Sequence, residues 1–178
     1  MRIRFNMNHK KSIEVILYII QKLGGSVNQY NLMKILFEAD KYHLNNYARP
    51  VTGDTYIAME YGTVPQAMKN YVDADHWYLG LIGREQYPFY LDKKTWHVMS
   101  QEVPNLDYLS KSDQEAVDCG IKKYGYLPFD MVCELNHQEK AWVRTRDHNS
   151  DRPIPFEEFI ENKDVLHALQ KIAESIVI

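Results

Sequence analysis

The stretch LMKILFEADKYHLNNY at residues 32–47, followed by RPVTGDTYIAMEYGTVP at 49–65, decides the reading of this chain. In the first segment Leu32, Leu36, Ala39, His43 and Tyr47 share one stripe at helical spacing, and Glu38 points the other way. Just upstream, Ser26 and Gln29 stand at the S-x-x-Q spacing of a capping box, in which the two side chains satisfy free backbone N–H groups. The spacing predicts a helix from there to Tyr47. In the second segment, Arg49-Pro50 and Thr52-Gly53-Asp54 signal a turn. Thr55 to Tyr61 is rich in β-branched and aromatic residues and reads as a short strand. Pro65, whose missing N–H is harmless in a first helical turn, opens a helix expected over 65–75.

Working outward, Ile13, Ile16, Leu17, Ile20 and Leu23 mark an amphipathic helix over 9–23 that Gly24-Gly25 ends. Tyr87, Phe89 and Leu91 alternate, as do Trp96, Val98 and Ser100, about Asp92-Lys93-Lys94, so a hairpin is expected at 86–101. Ser112 and Glu115 suggest a second capping box for a helix over 112–124, with Gly125 as its stop. Pro128 opens a short helix to Leu135, and the charged run 143–153 reads as a loop. Pro155 with Glu157 and Glu158 starts a further helical piece, and Asn162 caps a last helix over 163–176. The expected fold is mainly α: one compact multi-helix domain over 1–178, with a small antiparallel β element and the C-terminal helical segment 155–178 packed on it.

Composition narrows the function. Lys+Arg number 21 and Asp+Glu 24, a net charge of −3, which speaks against a dedicated nucleic-acid binder. Arg2, Lys10 and Lys11 make only a small basic start, and no recognition helix stands out. The longest apolar run, Val15 to Ile20, has six residues against the roughly 20 of a membrane span, and Glu14 breaks any signal-peptide pattern. Cys119 and Cys133 form no CxxC pair and read as reduced thiols of a cytoplasmic protein. The 13 tyrosines outnumber the 6 phenylalanines and 3 tryptophans, and tyrosine is enriched where one protein meets another.

Catalytic and cofactor signatures are missing from the sequence. It has no Gly-rich phosphate loop, no GxSxG and no HExxH. Asp73, Asp75 and His76 cluster near a helix end, but zinc requires three or four converging donors, so no metal and no cofactor is expected. His43 lies on an apolar stripe and needs a partner for each ring nitrogen, with Asp40, Asp54 and Tyr61 as candidates. In NHQEKAW at 136–142, Trp142 reads as a buried anchor and His137 as the lock of that turn.

Taken in order, these segments resemble the SocA-like Panacea family. The matching positions are Lys34, Leu36, Phe37, Ala39, Asp40, His43, Leu44, Arg49, Pro50, Asp54, Ala58, Tyr61, Gly62 and Val64. They continue through LSKSDQEAVDCGIKKYG at 109–125 to His137, Ala141 and Trp142. Two positions depart from the pattern: Thr63 stands where the family often has proline, and Asn136 where it often has serine. The resemblance implies an antitoxin of a bacterial or prophage toxin–antitoxin pair, acting by binding and not by catalysis. It implies a cognate protein toxin encoded next door as partner and, from one member, a protease to which the toxin is delivered. Asp40, His43, Arg49, Pro50, Asp54, Tyr61, Gly62, His137 and Trp142 are then the motif residues, structural or binding. The expected contact surface is Trp77, Tyr78, Tyr87, Phe89, Tyr90, Trp96, Arg144 and Arg146. The alternative is an enzyme using Asp40, His43, Arg49, Asp54 and Glu60 as one polar cluster on a nucleotide or a modified toxin target.

Overall fold

The computed structural model describes residues 3–147 and 150–175. Helix α1 (His9–Lys22) starts where Asn8 accepts the Lys11 N–H, and it is buried from Lys11 through Ile20. Helix α2 (Gln29–Tyr47) begins differently from the expectation. Ser26–Asn28 is a strand, β1, and Asn28 caps the helix by accepting the Tyr30 N–H at 2.9 Å. The Ser26/Gln29 capping box is absent because β1 pairs with β5 (His97–Ser100), a ladder that local spacing does not reveal.

Strands β2 (Tyr56–Met59) and β3 (Gly62–Pro65) form a tight hairpin, and Pro65 then sits at the N-cap of α3 (Gln66–Val72). After the short α4 (Leu79–Ile82), strand β4 (Phe89–Asp92) pairs with β5 at the hairpin expected for 86–101. Helix α5 (Lys111–Tyr124) is followed by α6 (Phe129–His137) and α7 (Lys140–Thr145). Strand β6 (Arg152–Pro153) and α8 (Lys163–Ser175) follow. Helix α7 and β6 occupy much of the expected loop at 143–153, whose His148 and Asn149 lie outside the described residues.

The mainly α expectation holds, with more sheet than one hairpin. Two three-stranded antiparallel sheets run in the orders β1-β5-β4 and β3-β2-β6. The α5 capping box is also real but shifted: it joins Ser110 and Asp113, not Ser112 and Glu115. That shift frees Ser112 for His43, and Glu115 for the Tyr42 and Tyr47 hydroxyls at 2.6 and 2.8 Å.

Helix α2 is the spine. On one side Leu32, Met33, Ile35, Leu36 and Ala39 join the main core with α1, α3, β4, β5 and α5. On the other, Phe37 and Leu44 join Ile3, Tyr56, Ala141, Phe159, Ile160 and Leu169 in a second core, with Phe37, Tyr56 and Phe159 packed edge to face. Helix α5 crosses α2 at Gly120, where a Cβ would lie 2.5 Å from the Ile35 carbonyl oxygen. Only glycine permits that approach.

Candidate functional site

The polar motif residues form linked pairs: Asp40 and Asp54 meet at Thr52, whose Oγ1 donates to Asp40 and accepts the Asp54 N–H, and His43 bonds the Arg49 backbone. Asp40 is fully buried and accepts the Thr52 N–H at 2.8 Å and the Thr52 hydroxyl at 2.6 Å. The Tyr56 hydroxyl lies 2.9 Å from the Leu36 carbonyl and 3.0 Å from Asp40 Oδ2, and its one proton serves one of them. Burial raises the Asp40 pKa against the pull of these donors.

Asp54 accepts the N–H groups of Ala67 and Met68 at 3.1 and 2.9 Å. It thereby caps α3, whose own N-cap, Pro65, has no capping side chain. Burial pushes its pKa up to about 6, with those two N–H groups opposing.

His43 is buried, and its Nδ1 lies 2.7 Å from the Arg49 carbonyl. A carbonyl only accepts, so Nδ1 carries the proton, and Nε2 accepts the Ser112 hydroxyl at 3.1 Å. Burial lowers the imidazole's pKa, which favours this neutral form. Beside it, Asp113 pairs with Lys11 at 2.7 Å and with Arg49 at 3.2 Å. Burial works against the Asp113 carboxylate, but the Lys11 and Ser110 bonds outweigh it and hold its pKa below the usual range. Glu60, the fifth member of the expected cluster, is exposed at the β2–β3 turn. The structure therefore does not bring Asp40, His43, Arg49, Asp54 and Glu60 to one site.

His137 and Trp142 stack at 4.2 Å between ring centres. His137 Nε2 donates to the Glu60 carbonyl and Trp142 Nε1 to the Met59 carbonyl, both at 2.9 Å. Together they clamp the backbone of the β2–β3 turn. Pro50 is buried, and Tyr61 is half exposed.

The expected contact surface divides. Tyr87 and Phe89 are buried and stack on each other, so they are core residues: Phe89 is the inward-facing start of β4, and Tyr87, just before the strand, packs against it and against Tyr71. Arg146 is a strut, bonded to Asp151 at 2.8 Å and to the Ala58 carbonyl at 3.0 Å. Arg144 is exposed and pairs with Glu158 at 3.0 Å. Trp77, Tyr90 and Trp96 are exposed, and Tyr78 is partly so.

One cavity collects features that the sequence reading did not join. It holds about 440 Å³ and is lined by Tyr30, Met33, Lys34, Met59, Tyr61, Val64 and Trp96, with Lys69, Asp73, Arg146 and Asp151 on its wall. Lys34 is 1% exposed, although it is a lysine, and its ammonium donates to the Thr63 carbonyl at 2.7 Å. Burial lowers its pKa to about 7. The signal was present in the sequence: Lys34 interrupts the apolar run Leu32-Met33 and Ile35-Leu36. Gly62, at φ +105°, makes room above it, since a Cβ there would lie 2.9 Å from Lys34 Nζ and 2.2 Å from Asn136 Oδ1.

Cys119 and Cys133 are free thiols. Among the described residues, no group of three or more His, Cys, Asp or Glu side chains is placed to hold a metal, and no helix is long and apolar enough to cross a membrane. Asp73 pairs instead with Lys69, and Asp75 caps the turn at His76–Tyr78.

Compared with protein families, the chain matches the model described as "Antitoxin SocA-like, Panacea domain" over residues 32–143. No curated protein and no solved structure matches the chain.

Proposed function

Because the chain belongs to the SocA-like antitoxin family of Panacea domains, we propose that it neutralises a cognate protein toxin by direct protein–protein contact. The family match over residues 32–143 carries this reading. Binding is favoured over catalysis because Asp40 and Asp54 are engaged as buried structural acceptors and Glu60 stands apart from the other members of the expected polar cluster. The encounter belongs in the cytoplasm, in keeping with two free thiols. Delivery of the bound toxin to a protease would use the same contact and add turnover.

The test is co-expression with the product of the adjacent reading frame, chosen because its expression alone arrests growth. Restored growth, and co-purification of the two chains in fixed ratio, is the expected result. Continued arrest with the antitoxin present and folded overturns the reading. A chase of the toxin in the same cells reads the protease step: its half-life shortens when this chain is present, or the delivery role is abandoned.

A further inference from the structure

The 440 Å³ cavity is bounded by α2, the β2–β3 hairpin and the tip of the β4–β5 hairpin. Three observations set it apart from an ordinary surface hollow. The first is charge. Lys69 and Arg146 on the wall are matched by Asp73 and Asp151, whereas Lys34 on the floor has no carboxylate within ion-pair distance among the described residues. Glu60, the remaining acid on the wall, makes no ion pair with it. A buried ammonium with a single carbonyl partner is a costly arrangement that an incoming carboxylate would relieve.

The second is the rim. Tyr30 and Phe129 meet at 4.7 Å between ring centres, and Phe129 and Tyr61 at 5.8 Å, which makes an aromatic edge. Tyr61 and Trp96 are each 50% exposed and Phe129 is 41% exposed. Large aromatic side chains around a pocket are the usual anchors of protein interfaces.

The third is strain. Trp96 has φ +57°, a left-handed conformation that favours glycine or asparagine. Two hydrogen bonds hold it there: its N–H donates to the Asp92 carbonyl, and its carbonyl accepts the Gln29 N–H, both at 2.8 Å. Half of the Trp96 side chain nevertheless remains in water. Backbone strain that presents an exposed aromatic ring over a cavity points to function.

We propose that this cavity is where the toxin docks, and that the docked segment carries an acidic side chain, flanked by apolar ones, that pairs with Lys34 while Trp96 and Tyr61 close over it. This rests on the antitoxin reading and adds to it the face, the anchor residues and the charge of the partner segment. An apolar segment without the acid would leave Lys34 unpaired, and an acidic segment without apolar neighbours would leave the aromatic rim wet.

The experiment uses the full chain and the purified product of the adjacent toxin gene. Affinity is measured for the wild type, Trp96→Asn, Lys34→Met and the distant control Val103→Ser, with growth rescue and thermal unfolding of each in parallel. Asparagine tolerates the left-handed backbone, so Trp96→Asn is expected to keep or raise the melting temperature while weakening binding about 30-fold, as loss of an interface anchor does. Lys34→Met is expected to fold and to bind at least ten-fold more weakly, and Val103→Ser to bind as the wild type. If the wild type neither binds nor rescues, the antitoxin reading itself falls and takes this site with it. If the wild type binds and both cavity variants bind equally well, only the docking site is overturned. A dimer of this chain alone that Trp96→Asn dissociates would assign the cavity to a second copy, and would also overturn the proposal.

Discussion

Asn136 Oδ1 accepts the Thr63 backbone N–H at 2.7 Å, with the Thr63 hydroxyl 3.2 Å away. Both residues are fully buried. They are also the two positions at which the sequence departs from the pattern that it resembles, proline being expected at 63 and serine at 136. In this structure the two positions form one contact. A proline at 63 would offer no N–H, and threonine supplies one. A serine at 136 would be shorter than Asn136, whose amide oxygen reaches that N–H. Strand β3 is the edge of its sheet, so the Thr63 N–H points to α6 and not into the ladder, and proline is tolerable there.

This predicts a coupled pair. Thr63→Pro alone removes the donor and leaves a buried amide oxygen unpaired, a cost of about 1–3 kcal/mol. Asn136→Ser alone leaves the Thr63 N–H short of its acceptor at a similar cost. The double variant is expected to be more stable than the sum of the two losses predicts, by about 1 kcal/mol or more. Denaturant unfolding of the four proteins checks it, and strict additivity would refute the coupling.

Ser112→Ala tests whether the pair formed by Ser112 and His43 is chemical or structural. The hydroxyl donates to an imidazole held by the Arg49 carbonyl, an arrangement that resembles an activated serine. It also closes the polar ring at the start of α5, where Ser110 Oγ lies 3.0 Å from Ser112 Oγ. On the structural account, Ser112→Ala costs about 1 kcal/mol and leaves toxin neutralisation unchanged. Loss of neutralisation by a protein with unaltered binding and stability would restore the enzymatic alternative.

Apolar residues at helical spacing made α1, α2 and α5 legible, although only α5 buries a single stripe: α1 is buried all round from Lys11 to Ile20, and α2 is buried on two sides. What that spacing missed depends on partners far away in sequence. Ser26–Asn28 carries a good local capping signal, and a strand pairing some 70 residues on overrides it. The capping box of α5 was displaced by two residues because Asp113 is fixed by Lys11 and Arg49, neither of which is near it in the chain. Burial of Phe89 followed from which face of β4 met the core, which alternation alone does not decide, and Tyr87 packs on it from the segment before the strand. Lys34 was visible as a polar residue in an apolar run, but its neighbours Gly62, Thr63 and Asn136 come from two other elements.

Glu139 joins three parts of the fold. Its carboxylate pairs with Lys41 of α2 and Lys123 of α5, each at 2.7 Å, and Lys123 also reaches Glu38 at 2.7 Å. Burial opposes its charge, but the Lys123 and Lys41 bonds prevail and hold its pKa below the usual range. A carboxylate whose folded pKa is lowered adds stability above its unfolded value, and that stability is lost as pH falls through the folded one. Glu139→Gln is therefore expected to cost about 2 kcal/mol at neutral pH, since it leaves Lys41 only Glu161 and Lys123 only Glu38 as carboxylate partners. Its deficit should shrink as pH falls below about 4. Urea midpoints at pH 7 and pH 3 measure this; an equal deficit at both would remove the electrostatic explanation.

Lys34 gives a pH signature of the same sign in a more alkaline window, but starting from a penalty and not from a gain. Its folded pKa is about 7, against 10.5 for an ordinary lysine. Below pH 7 it is charged in both states, and the folded protein bears the whole penalty of burying an ammonium. Between pH 7 and 10.5 the unfolded chain holds a proton that the folded one has released, so the Lys34 contribution makes stability rise with pH. Each unit of difference corresponds to about 1.4 kcal/mol. Lys34→Met removes that penalty and also the bond to the Thr63 carbonyl, whose loss costs about 1–3 kcal/mol. The variant is therefore expected to be more stable than the wild type by about 2 kcal/mol at pH 6.5, and to lose that advantage by about pH 10. Urea unfolding of both proteins at pH 6.5, 8 and 9.5 reads the difference, in which the remaining titrating groups largely cancel. Parallel stability curves would show that Lys34 stays protonated in the fold, held by a counter-charge near Thr63 and Gly62. A gain in stability joined to a loss of toxin affinity in this one variant would mark Lys34 as a residue kept for contact and not for folding.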